Sequence, residues 1–487
     1  MGGRWTVLLS FVVVVVVVVV VAVVIAFAAA ARGSILRVPP AAATAAAVSQ
    51  PRAQTSQSRA VAAVSFTSAV LQSTVAPHRR ILIVWLVYGS GHPYRGRGPV
   101  HRLRPSRRRF IVRWRISRLR PGTVYHAQIL VACGCAGGVR RARNVSFSTI
   151  QIGYQNPVFG GFADPGALGA SPGRPQYFAY GTGEGFPIAV SSDLVHWTGA
   201  GNALRARPAW VTGAGDPHAW APSVTHVDAP CPGSIAPGCY HMFYVGWNAS
   251  LRPPANCVGV ATSPTPGGPF SDQGILQTLL PSLDHNGRPP GCGDDAGYGY
   301  IDPSPYTDAD GVTYLYLSTD WACAAPAGAP CHLQPTLSVI QLAPDGLHAT
   351  GNRQPLLAGR MHSWEAAGVR TQVVENPSVE RHGSTYLLLY SGGNWLGAYG
   401  MGYAVGSSPF GPFIRGSAAP FLAQTAAVGG PGGGATVVGP HGGEWLVYHA
   451  SSPGSDQRSL RIDPFRWGSD GRVHTPAPTV TPQVRAP

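Results

Sequence analysis

The C-terminal two-thirds of the chain consists of short apolar runs separated by Gly- and Pro-rich turns. Within each run an aromatic or aliphatic residue recurs at every second position, the period of a strand with one buried face. The five most regular runs cover residues 177–180, 240–247, 314–316, 386–390 and 445–448. There is no long amphipathic helical pattern. With 62 Gly, 46 Pro and only 12% charged residues, the pattern predicts an all-β fold.

A short motif precedes each run. The aligned segments are residues 163–166, 220–223, 301–304, 375–378 and 432–435, four of which contain Pro after a small or polar residue. Long β-units that repeat in this way are typical of propeller blades around an axis. Three of the segments carry a carboxylate at nearly the same point, as Asp164, Asp302 and Glu375. If the repeats surround one axis, the three acids would meet there and form an active site.

Residues 59–150 alternate apolar and polar positions like a small β-sandwich. Within them, Leu119, Pro121, Thr123 and Tyr125 form a Leu-x-Pro-x-Thr-x-Tyr motif ahead of an alternating strand. The motif resembles the fibronectin type III domain, in which the Tyr hydroxyl ties a loop to the strand. The resemblance implies an N-terminal fibronectin type III-like β-sandwich that spaces or positions another domain.

The two ends of the chain have different compositions. Apart from Arg4, residues 1–31 hold a Val-rich, uncharged run long enough to span a membrane, so they are either a signal peptide or a membrane anchor. Residues 32–58 are rich in Ala, Pro, Gln and Ser, which predicts a flexible linker. The predicted propeller covers residues 154–476, and residues 477–487 form a tail.

The charge of the chain is unevenly distributed. Residues 1–150 hold 21 Arg and no Asp or Glu, for a charge of +21, whereas residues 151–487 hold 15 Arg and 21 acids, for a charge of −6. The basic region is either a solvated face or a surface for an anionic polymer such as wall polymer, phospholipid or acidic glycan. No nucleic-acid recognition motif accompanies the charge, so nucleic acid is not an expected partner.

The chain has eight cysteines, an even number that suggests disulfides. Two pairs each bracket an eight-residue step rich in Pro, Gly and Ala, as stapled loops would, although the sequence does not fix the connectivity. Zinc is the alternative, but no Cys-x-x-Cys pair is present. Oxidised loops would place the protein outside the cytoplasm, secreted or anchored at the cell surface. The suggested pairs are Cys231 with Cys239, Cys323 with Cys331, Cys257 with Cys292 and Cys133 with Cys135.

The three carboxylates suit the hydrolysis of a glycosidic bond. That reaction needs one carboxyl group to protonate the leaving oxygen and another to act as nucleophile or to activate water. A third acid can orient the first and change its pKa. A lone Asp-Pro pair is usually a turn, but the position of Asp164, Asp302 and Glu375 in equivalent repeats favours catalysis.

Residues 154–476 resemble glycoside hydrolase family 43. The matching pieces are residues 163–165, 191–197, 220–223, 258–263, 268–270, 301–306, 375–377, 411–413, 445–449 and 458–467. The resemblance implies a five-bladed β-propeller and inverting hydrolysis of α-L-arabinofuranosyl or β-D-xylosyl linkages in arabinan, xylan and arabinoxylan.

Carried over by motif position, the resemblance assigns a role to each acid. Asp164 would be the general base that activates water, Glu375 the general acid, and Asp302 the residue that orients Glu375 and tunes its pKa. An inverting pair of carboxyl groups lies roughly 6.5–9.5 Å apart. A general acid needs a raised pKa to remain protonated near neutral pH.

Four further residues are candidates for substrate binding. Trp220 and Trp247 offer flat rings that suit the apolar faces of sugars. The resemblance implies a sugar contact for Arg458, for which a surface ion pair is the alternative. Asn376 occupies a position where relatives often have Gly or Ala, so it would change the sugar pocket.

The sequence departs from the family pattern at two points. Gly433 stands where many relatives have a His close to an axial metal, so no metal or other cofactor is expected and a calcium ion at the axis is doubtful. Glu375 lies one residue earlier in its repeat than Asp164 and Asp302. Strict strand alternation would turn its side chain the other way, and we expect a local twist to correct this.

Two other functions are compatible with the pattern. One is a non-hydrolytic carbohydrate-binding propeller at the cell surface, because the fifth repeat is altered at Gly433. The other is a surface adhesion protein in which the basic N-terminal region binds an anionic wall polymer. The three intact acids favour the glycoside hydrolase, with a polysaccharide or oligosaccharide as its substrate.

Overall fold

The computed structural model describes residues 55–56, 61–133, 138–213, 219–252, 254–279, 288–293, 299–319, 335–360, 363–367, 373–484 and 486–487. The predicted leader over residues 1–31, most of the linker, Cys135 and the suggested pair of Cys323 with Cys331 lie outside these residues. None of the helices found in the described residues has the length and apolar character needed to cross a membrane.

Regular structure in the described residues is almost entirely β-strand, which confirms the predicted all-β fold. The helices there are single 3₁₀ turns, Pro290–Cys292 and Trp364–Ala366. The physical reason is the one read from the sequence: frequent Gly and Pro end each run after a few residues, and alternating apolar positions need a sheet to bury one face.

The N-terminal β-module, residues 61–150, contains two antiparallel sheets. In one sheet β3 pairs with β1, β2 and β7; in the other the order is β10-β8-β4-β5, with β6 also on β4 and β9 on β8. The strands are β1 (Thr55–Ser56), β2 (Val61–Val64), β3 (Ala69–Val75), β4 (Leu82–Gly89), β5 (Gly96–Arg97), β6 (His101–Leu103), β7 (Phe110–Ile116), β8 (Val124–Cys133), β9 (Arg140–Arg141) and β10 (Val145–Ser148).

The core of this module is built largely by alternation. Buried residues alternate along all of β3 and along most of β4, β7 and β8, and Trp114 and Leu86 at the centre have no exposed surface. The hydroxyl of Tyr125 accepts a hydrogen bond of 2.9 Å from the backbone N–H of Arg120, in the preceding loop. This bond fixes the loop that enters β8.

The remaining strands form five larger antiparallel sheets and two small ones in the described residues. The larger sheets are β11–β14, β15–β18, β20-β21-β22-β24, β25–β28 with β29 on β27, and β30–β32; the small ones are β19-β23 and β33-β34. The strand bounds are β11 (Ala163–Leu168), β12 (Tyr177–Thr182), β13 (Pro187–Ser191), β14 (Trp197–Asn202), β15 (Ala219–Val227), β16 (Cys239–Asn248), β17 (Ala255–Ser263), β18 (Ser271–Ile275), β19 (Gln277–Thr278), β20 (Tyr300–Thr307), β21 (Thr313–Thr319), β22 (Thr336–Gln341), β23 (His348–Ala349), β24 (Gln354–Ala358), β25 (Glu375–His382), β26 (Thr385–Gly392), β27 (Gly400–Gly406), β28 (Ile414–Arg415), β29 (Leu422–Ala423), β30 (Gly429–Val438), β31 (Glu444–Ser451), β32 (Ser459–Pro464), β33 (Arg466–Trp467) and β34 (Val473–His474).

The five first strands of the larger sheets, β11, β15, β20, β25 and β30, contact one another in sequence order, and β30 also contacts β11. They therefore form a closed ring, with the later strands of each sheet farther out. Each motif segment that the sequence pattern picked out lies on one of these five strands.

A buried tyrosine on the second strand of each larger sheet repeats around the ring. Each of the five hydroxyls donates to an acceptor: the carbonyls of Pro266 and Pro409, or the carboxylates of Asp272, Glu365 and Asp463. A buried phenol needs such a partner. The five are Tyr180, Tyr244, Tyr316, Tyr390 and Tyr448.

The start and end of the ring are joined around Asp463 on β32, which is fully buried. Its carboxylate accepts hydrogen bonds from Tyr154 (2.7 Å), Tyr448 (2.8 Å) and the Thr479 hydroxyl (2.6 Å). An isolated bridge from Phe159 to Leu460 runs alongside. These contacts close the fifth sheet, which has one strand fewer than the first three.

Two of the four suggested cysteine pairs are present as disulfides, Cys231–Cys239 and Cys257–Cys292. The first closes the loop between β15 and β16, and the second ties β17 to the 3₁₀ turn at Pro290–Cys292.

Candidate active site

Each first strand carries the same backbone turn at the same point. The turn residue has a positive φ, between 46° at Asp164 and 57° at Gly433, and the pairing register of the strand shifts beside it. Left-handed backbone is uncommon for residues other than Gly, so its recurrence marks a strained site held by the surrounding fold. The five residues are Asp164, Ala221, Asp302, Asn376 and Gly433.

These turns surround a small cavity of about 50 Å³ at the centre of the ring. Three consecutive residues from each first strand line it: 164–166, 221–223, 302–304, 376–378 and 433–435. A cavity of this size holds ordered waters rather than a sugar ring. Asp164 and Asp302 both lie on this lining.

Asn376, not Glu375, occupies the turn position equivalent to Asp164 and Asp302. Glu375 precedes the turn, as the sequence spacing indicated, and its side chain is buried. The register shift between Glu375 and Ser378 interrupts the two-residue alternation. All five first strands share such a bulge. Strict two-residue alternation therefore does not predict the direction of the Glu375 side chain.

Asp164 is held by three neighbours. Its carboxylate accepts hydrogen bonds from Thr182 Oγ1 (2.7 Å, at Oδ2) and Arg458 Nη1 (2.6 Å, at Oδ1). Its backbone N–H donates to Nδ1 of His449 at 3.1 Å. Thr182 Oγ1 in turn accepts the backbone N–H of Ala221 at 3.0 Å, which links the first two turns of the ring.

The surroundings of Asp164 keep it ionised. Burial works to raise the pKa of its carboxyl, but the positive charge of Arg458 and the hydrogen bonds from Thr182 and Arg458 outweigh burial and hold the pKa below its ordinary value of 3.8. An ionised, oriented carboxylate is what a general base requires.

His449 is a neutral acceptor in this site. It is fully buried, and burial together with the neighbouring charge of Arg458 lowers its pKa to about 3. Because Nδ1 accepts the Asp164 N–H, the proton of the neutral ring lies on Nε2. His449 therefore fixes the backbone of Asp164 without adding a charge.

Glu375 contacts a buried phenol. The hydroxyl of Tyr399 donates to Oε1 of Glu375 at 2.5 Å, and Asn376 Nδ2 donates to the same hydroxyl oxygen at 3.1 Å. Burial, followed by the charges of Glu375 and Asp302, raises the pKa of Tyr399 well above 10. Tyr399 thus remains a hydrogen-bond donor, and its bond to Oε1 fixes the orientation of the Glu375 carboxyl.

Asp302 is connected to Glu375 through the backbone. Its Oδ2 accepts the N–H of Asn376 at 3.0 Å, and Asn376 directly follows Glu375. A charge on Asp302 is also among the influences that raise the pKa of Tyr399. Asp302, Asn376, Glu375 and Tyr399 thus belong to one hydrogen-bonded group. The rings of Tyr399 and His449 stack at 6.1 Å between centroids, which brings this group next to the group around Asp164.

The four candidate substrate residues lie in different surroundings. Arg458 forms its ion pair with Asp164 itself and lies 4.9 Å from the ring centroid of Trp395. The side chain of Asn376 is engaged with Tyr399. Trp220 is partly buried against Ala221, Val245 and Ile301, next to the second turn of the ring.

Trp247 lies on β16, where its ring is close to Gly213. That position is on the second strand of its sheet rather than on the ring of first strands.

Sequence reasoning missed the two residues that hold the acids in place. Tyr399 lies just before β27, outside every repeated motif, and Thr182 ends β12. His449 was noted only in connection with a metal. A signal was present for Thr182, because it ends the aromatic run that follows the Asp164 motif, but nothing in the local sequence of Tyr399 points to Glu375.

Residues 154–473 match the family model described as Glycosyl hydrolases family 43. The chain belongs to this family. The match covers the whole ring of sheets and the three acids, and it supports glycosidase activity. A comparison with curated protein sequences found no match.

Two solved structures show the extent of the likeness. A thermostable family-43 glycoside hydrolase is 27% identical, with 68% of this chain and 98% of that chain covered and a TM-score of 0.54. A xylan beta-1,4-xylosidase from Bacillus halodurans C-125 is 19% identical, with 69% of this chain and 59% of that chain covered and a TM-score of 0.52. At 19% identity, the likeness to the xylosidase concerns the fold alone.

The expectation that no metal binds at the axis of this family 43 chain stays a prediction. Calcium takes six to eight oxygen ligands, whereas Gly433 contributes no side chain and His449 contributes one nitrogen. In the part of the chain that the structure describes, no three His, Cys, Asp or Glu side chains come together as a metal site would require. We derive no step of the reaction through a metal.

Proposed function

We propose that this family 43 chain hydrolyses arabinofuranosyl or xylosyl linkages with inversion at the anomeric carbon. The observation that carries the proposal is the contrast between the surroundings of two carboxylates, Asp164 and Glu375. Asp164 meets a guanidinium and is held ionised, whereas Glu375 is buried against the hydroxyl of Tyr399. Two carboxyl groups in contrasting environments are the arrangement that acid–base cleavage of a glycoside needs.

In the proposed reaction Asp164 takes a proton from a water molecule as the water oxygen bonds to the anomeric carbon. The glycosidic C–O bond breaks in the same step, and Glu375 gives its proton to the leaving oxygen. Asp302 accepts the N–H of Asn376 and so holds the turn that carries Glu375. The two carboxyl groups are expected to lie roughly 6.5–9.5 Å apart, with room for the water between them and the sugar.

The sugar would lie above the ring of turns, against the side chains that border it. Trp220 adjoins the second turn and offers a flat ring. Arg458 already binds Oδ1 of Asp164, so its remaining N–H groups are candidates to donate to a sugar hydroxyl. Asn376 would act mainly through Tyr399, and Trp247 would act only on a longer substrate. The choice of arabinose or xylose rests on membership of the family.

We also propose the architecture that the sequence predicted. The closed ring of five sheets supports a five-bladed propeller, and the Tyr125 bond supports a fibronectin type III-like module before it. The two disulfides support export to the cell surface or beyond.

The first test is hydrolysis of paired aryl α-L-arabinofuranoside and β-D-xyloside substrates and of linear arabinan by the full chain and its Glu375→Ala variant. Each aryl sugar is offered with a good and with a poor leaving group. Loss of the general acid should slow the poor leaving group by at least about a hundredfold and the good one far less. The anomer that appears first, followed by proton NMR, distinguishes inversion from retention.

A matched control is Asp310→Ala, which removes an exposed carboxylate from a turn outside the ring. Its rates should equal those of the native chain. Rates that are unchanged in Glu375→Ala would refute the assignment of the acid. A folded native chain that binds these glycans but releases no sugar would favour the non-hydrolytic binding propeller.

A further inference from the structure

The second sheet of the N-terminal β-module has an outer face that combines arginines with partly exposed apolar side chains. Residues directly opposite each other in an antiparallel ladder lie on the same face. Pairing between β4, β5, β6, β8 and β9 therefore places three rows on this surface: Arg102–Ile83–Ala132, Trp85–Leu130–Arg141 and Arg97–Val87–Gln128. We call these nine residues the arginine face; Leu130 among them is buried, whereas Ile83, Trp85 and Val87 are partly exposed.

The arginines frame an aromatic centre. Arg97, Arg102 and Arg141 are exposed, while Trp85 in the middle is partly exposed. The guanidinium carbon of Arg97 lies 5.5 Å from the ring centroid of Trp85, in cation–π contact. Arg97 pairs with Val87 and Arg102 with Ile83, four residues apart on β4. The backbones of Arg97 and Arg102 therefore lie about 13 Å apart. Arg141 is on the opposite edge of the sheet.

The positive charge has no acidic counterpart nearby in the sequence. Residues 1–150 contain no Asp or Glu at all, so no carboxylate side chain of this module balances the arginines. Like charges on one small module repel each other and reduce its stability. An anionic ligand would reduce this repulsion and release the counterions of the arginine side chains.

The side chains on the arginine face point to the chemistry of that ligand. Arg binds carboxylates through two parallel N–H bonds and stacks on planar groups. The Trp ring suits the apolar face of a pyranose. The same chain carries a glycosidase domain of family 43, so the polymer that it meets is a polysaccharide.

We propose that the arginine face binds an acidic polysaccharide, a glycan whose sugars carry carboxylate groups. The sugar ring packs on Trp85, and carboxylates on either side pair with Arg97 or Arg102 and with Arg141. The module then holds the glycosidase close to an anionic matrix, whatever linkage its own active site cleaves. This binding does not depend on the roles of Asp164, Asp302 and Glu375.

The test measures binding of polygalacturonate to the full-length chain, kept in a nonionic detergent, by calorimetry at fixed ionic strength. Three variants are compared: Trp85→Ala, Arg97→Ala/Arg102→Ala, and a control, Arg113→Ala/Arg115→Ala. The control removes the same charge from exposed positions on β7, in the other sheet. Hydrolysis of a small aryl glycoside and the thermal midpoint show that each variant is folded.

The proposal predicts at least a tenfold weaker affinity for Trp85→Ala and for the Arg97/Arg102 pair, with less than a threefold change for the control. It also predicts little binding of neutral arabinan to this face. Equal losses in the control pair would mean attraction by net charge alone and would overturn the proposal. Unchanged affinity in Trp85→Ala would also overturn it, as would tighter binding of single-stranded DNA or of phosphatidylglycerol vesicles at the same ionic strength.

Discussion

The hydroxyl of Tyr399 donates a 2.5 Å hydrogen bond to Oε1 of Glu375, from a position 24 residues further along the chain. The phenol is buried, and Asn376 donates to its oxygen in turn. The bond fixes the orientation of the carboxyl group of Glu375. Tyr399 therefore acts on the reaction by positioning Glu375.

Replacing Tyr399 by Phe should lower kcat by about tenfold, because an acid held less firmly transfers its proton less efficiently. The ring is retained, so its stacking with His449, at 6.1 Å between centroids, is kept. The loss should be larger for a poor leaving group than for a good one, while KM changes little. An equal loss for both leaving groups would assign Tyr399 a structural role only.

Removing the cation beside Asp164 should shift the pH dependence. The pKa of Asp164 lies below 3.8 in the native chain, so the acid limb of kcat/KM lies at low pH. In Arg458→Gln the pKa of Asp164 should rise, and the acid limb should move to higher pH. Arg466→Gln, at an exposed position on β33, is the control and should leave the limb in place.

The ion pair of Arg458 with Asp164 also contributes to stability in a defined pH range. Because the pKa of Asp164 is lowered in the folded state, the contribution is complete above the ordinary Asp value of 3.8 and is lost as the pH falls through the lowered pKa. Urea denaturation of the native chain should show this loss at low pH, and Arg458→Gln should show less of it. Identical pH profiles of unfolding in both proteins would contradict the expectation.

A methyl group at Gly433 should disturb Asp164 through His449. A Cβ there would lie 2.8 Å from Cε1 and 2.9 Å from Nδ1 of His449, whereas a Cβ at Gly442 meets nothing within 4 Å. Both glycines have positive φ, so in both Ala variants the backbone strain should lower the free energy of unfolding by about 1–2 kcal/mol. Only Gly433→Ala should also lower kcat, by at least about tenfold, because it displaces the ring that holds the Asp164 N–H. Equal activity of the two variants would show that His449 has no part in positioning Asp164.

Closure of the ring should depend on Asp463. Replacing it by Ala leaves the hydroxyls of Tyr154, Tyr448 and Thr479 without their buried acceptor. The expected loss is about 3–5 kcal/mol in the free energy of unfolding, since several buried donors lose their partner at once. Asp456→Ala, at an exposed position in the loop before β32, should change it by less than about 0.5 kcal/mol. Denaturant unfolding of the two variants under identical conditions measures the difference.

The strands of this chain could be predicted from local sequence, and the three candidate acids could be picked out there, but the groups that contact these acids could not be predicted. Alternation of apolar residues has a fixed period in a strand, so the runs around Tyr180 and Tyr390 were recognisable without a partner sheet. Tyr399 and Glu375, by contrast, lie 24 residues apart and meet only when the fourth sheet has formed. Strict alternation would turn the side chain of Glu375 away, and a local twist was expected to correct this. The structure has a bulge between Glu375 and Ser378 that interrupts the alternation.

The amino-acid sequence by itself determined the all-β fold, the five repeated segments and the identity of the three acids, because these depend on short-range periodicity and on residue type. Only the tertiary structure decided which groups surround each acid: Arg458, Thr182 and His449 at Asp164, and Tyr399 at Glu375. Those contacts join residues up to 294 positions apart. The electrostatic environment of a carboxylate depends on distances in space, and these exist only once the ring of sheets has closed.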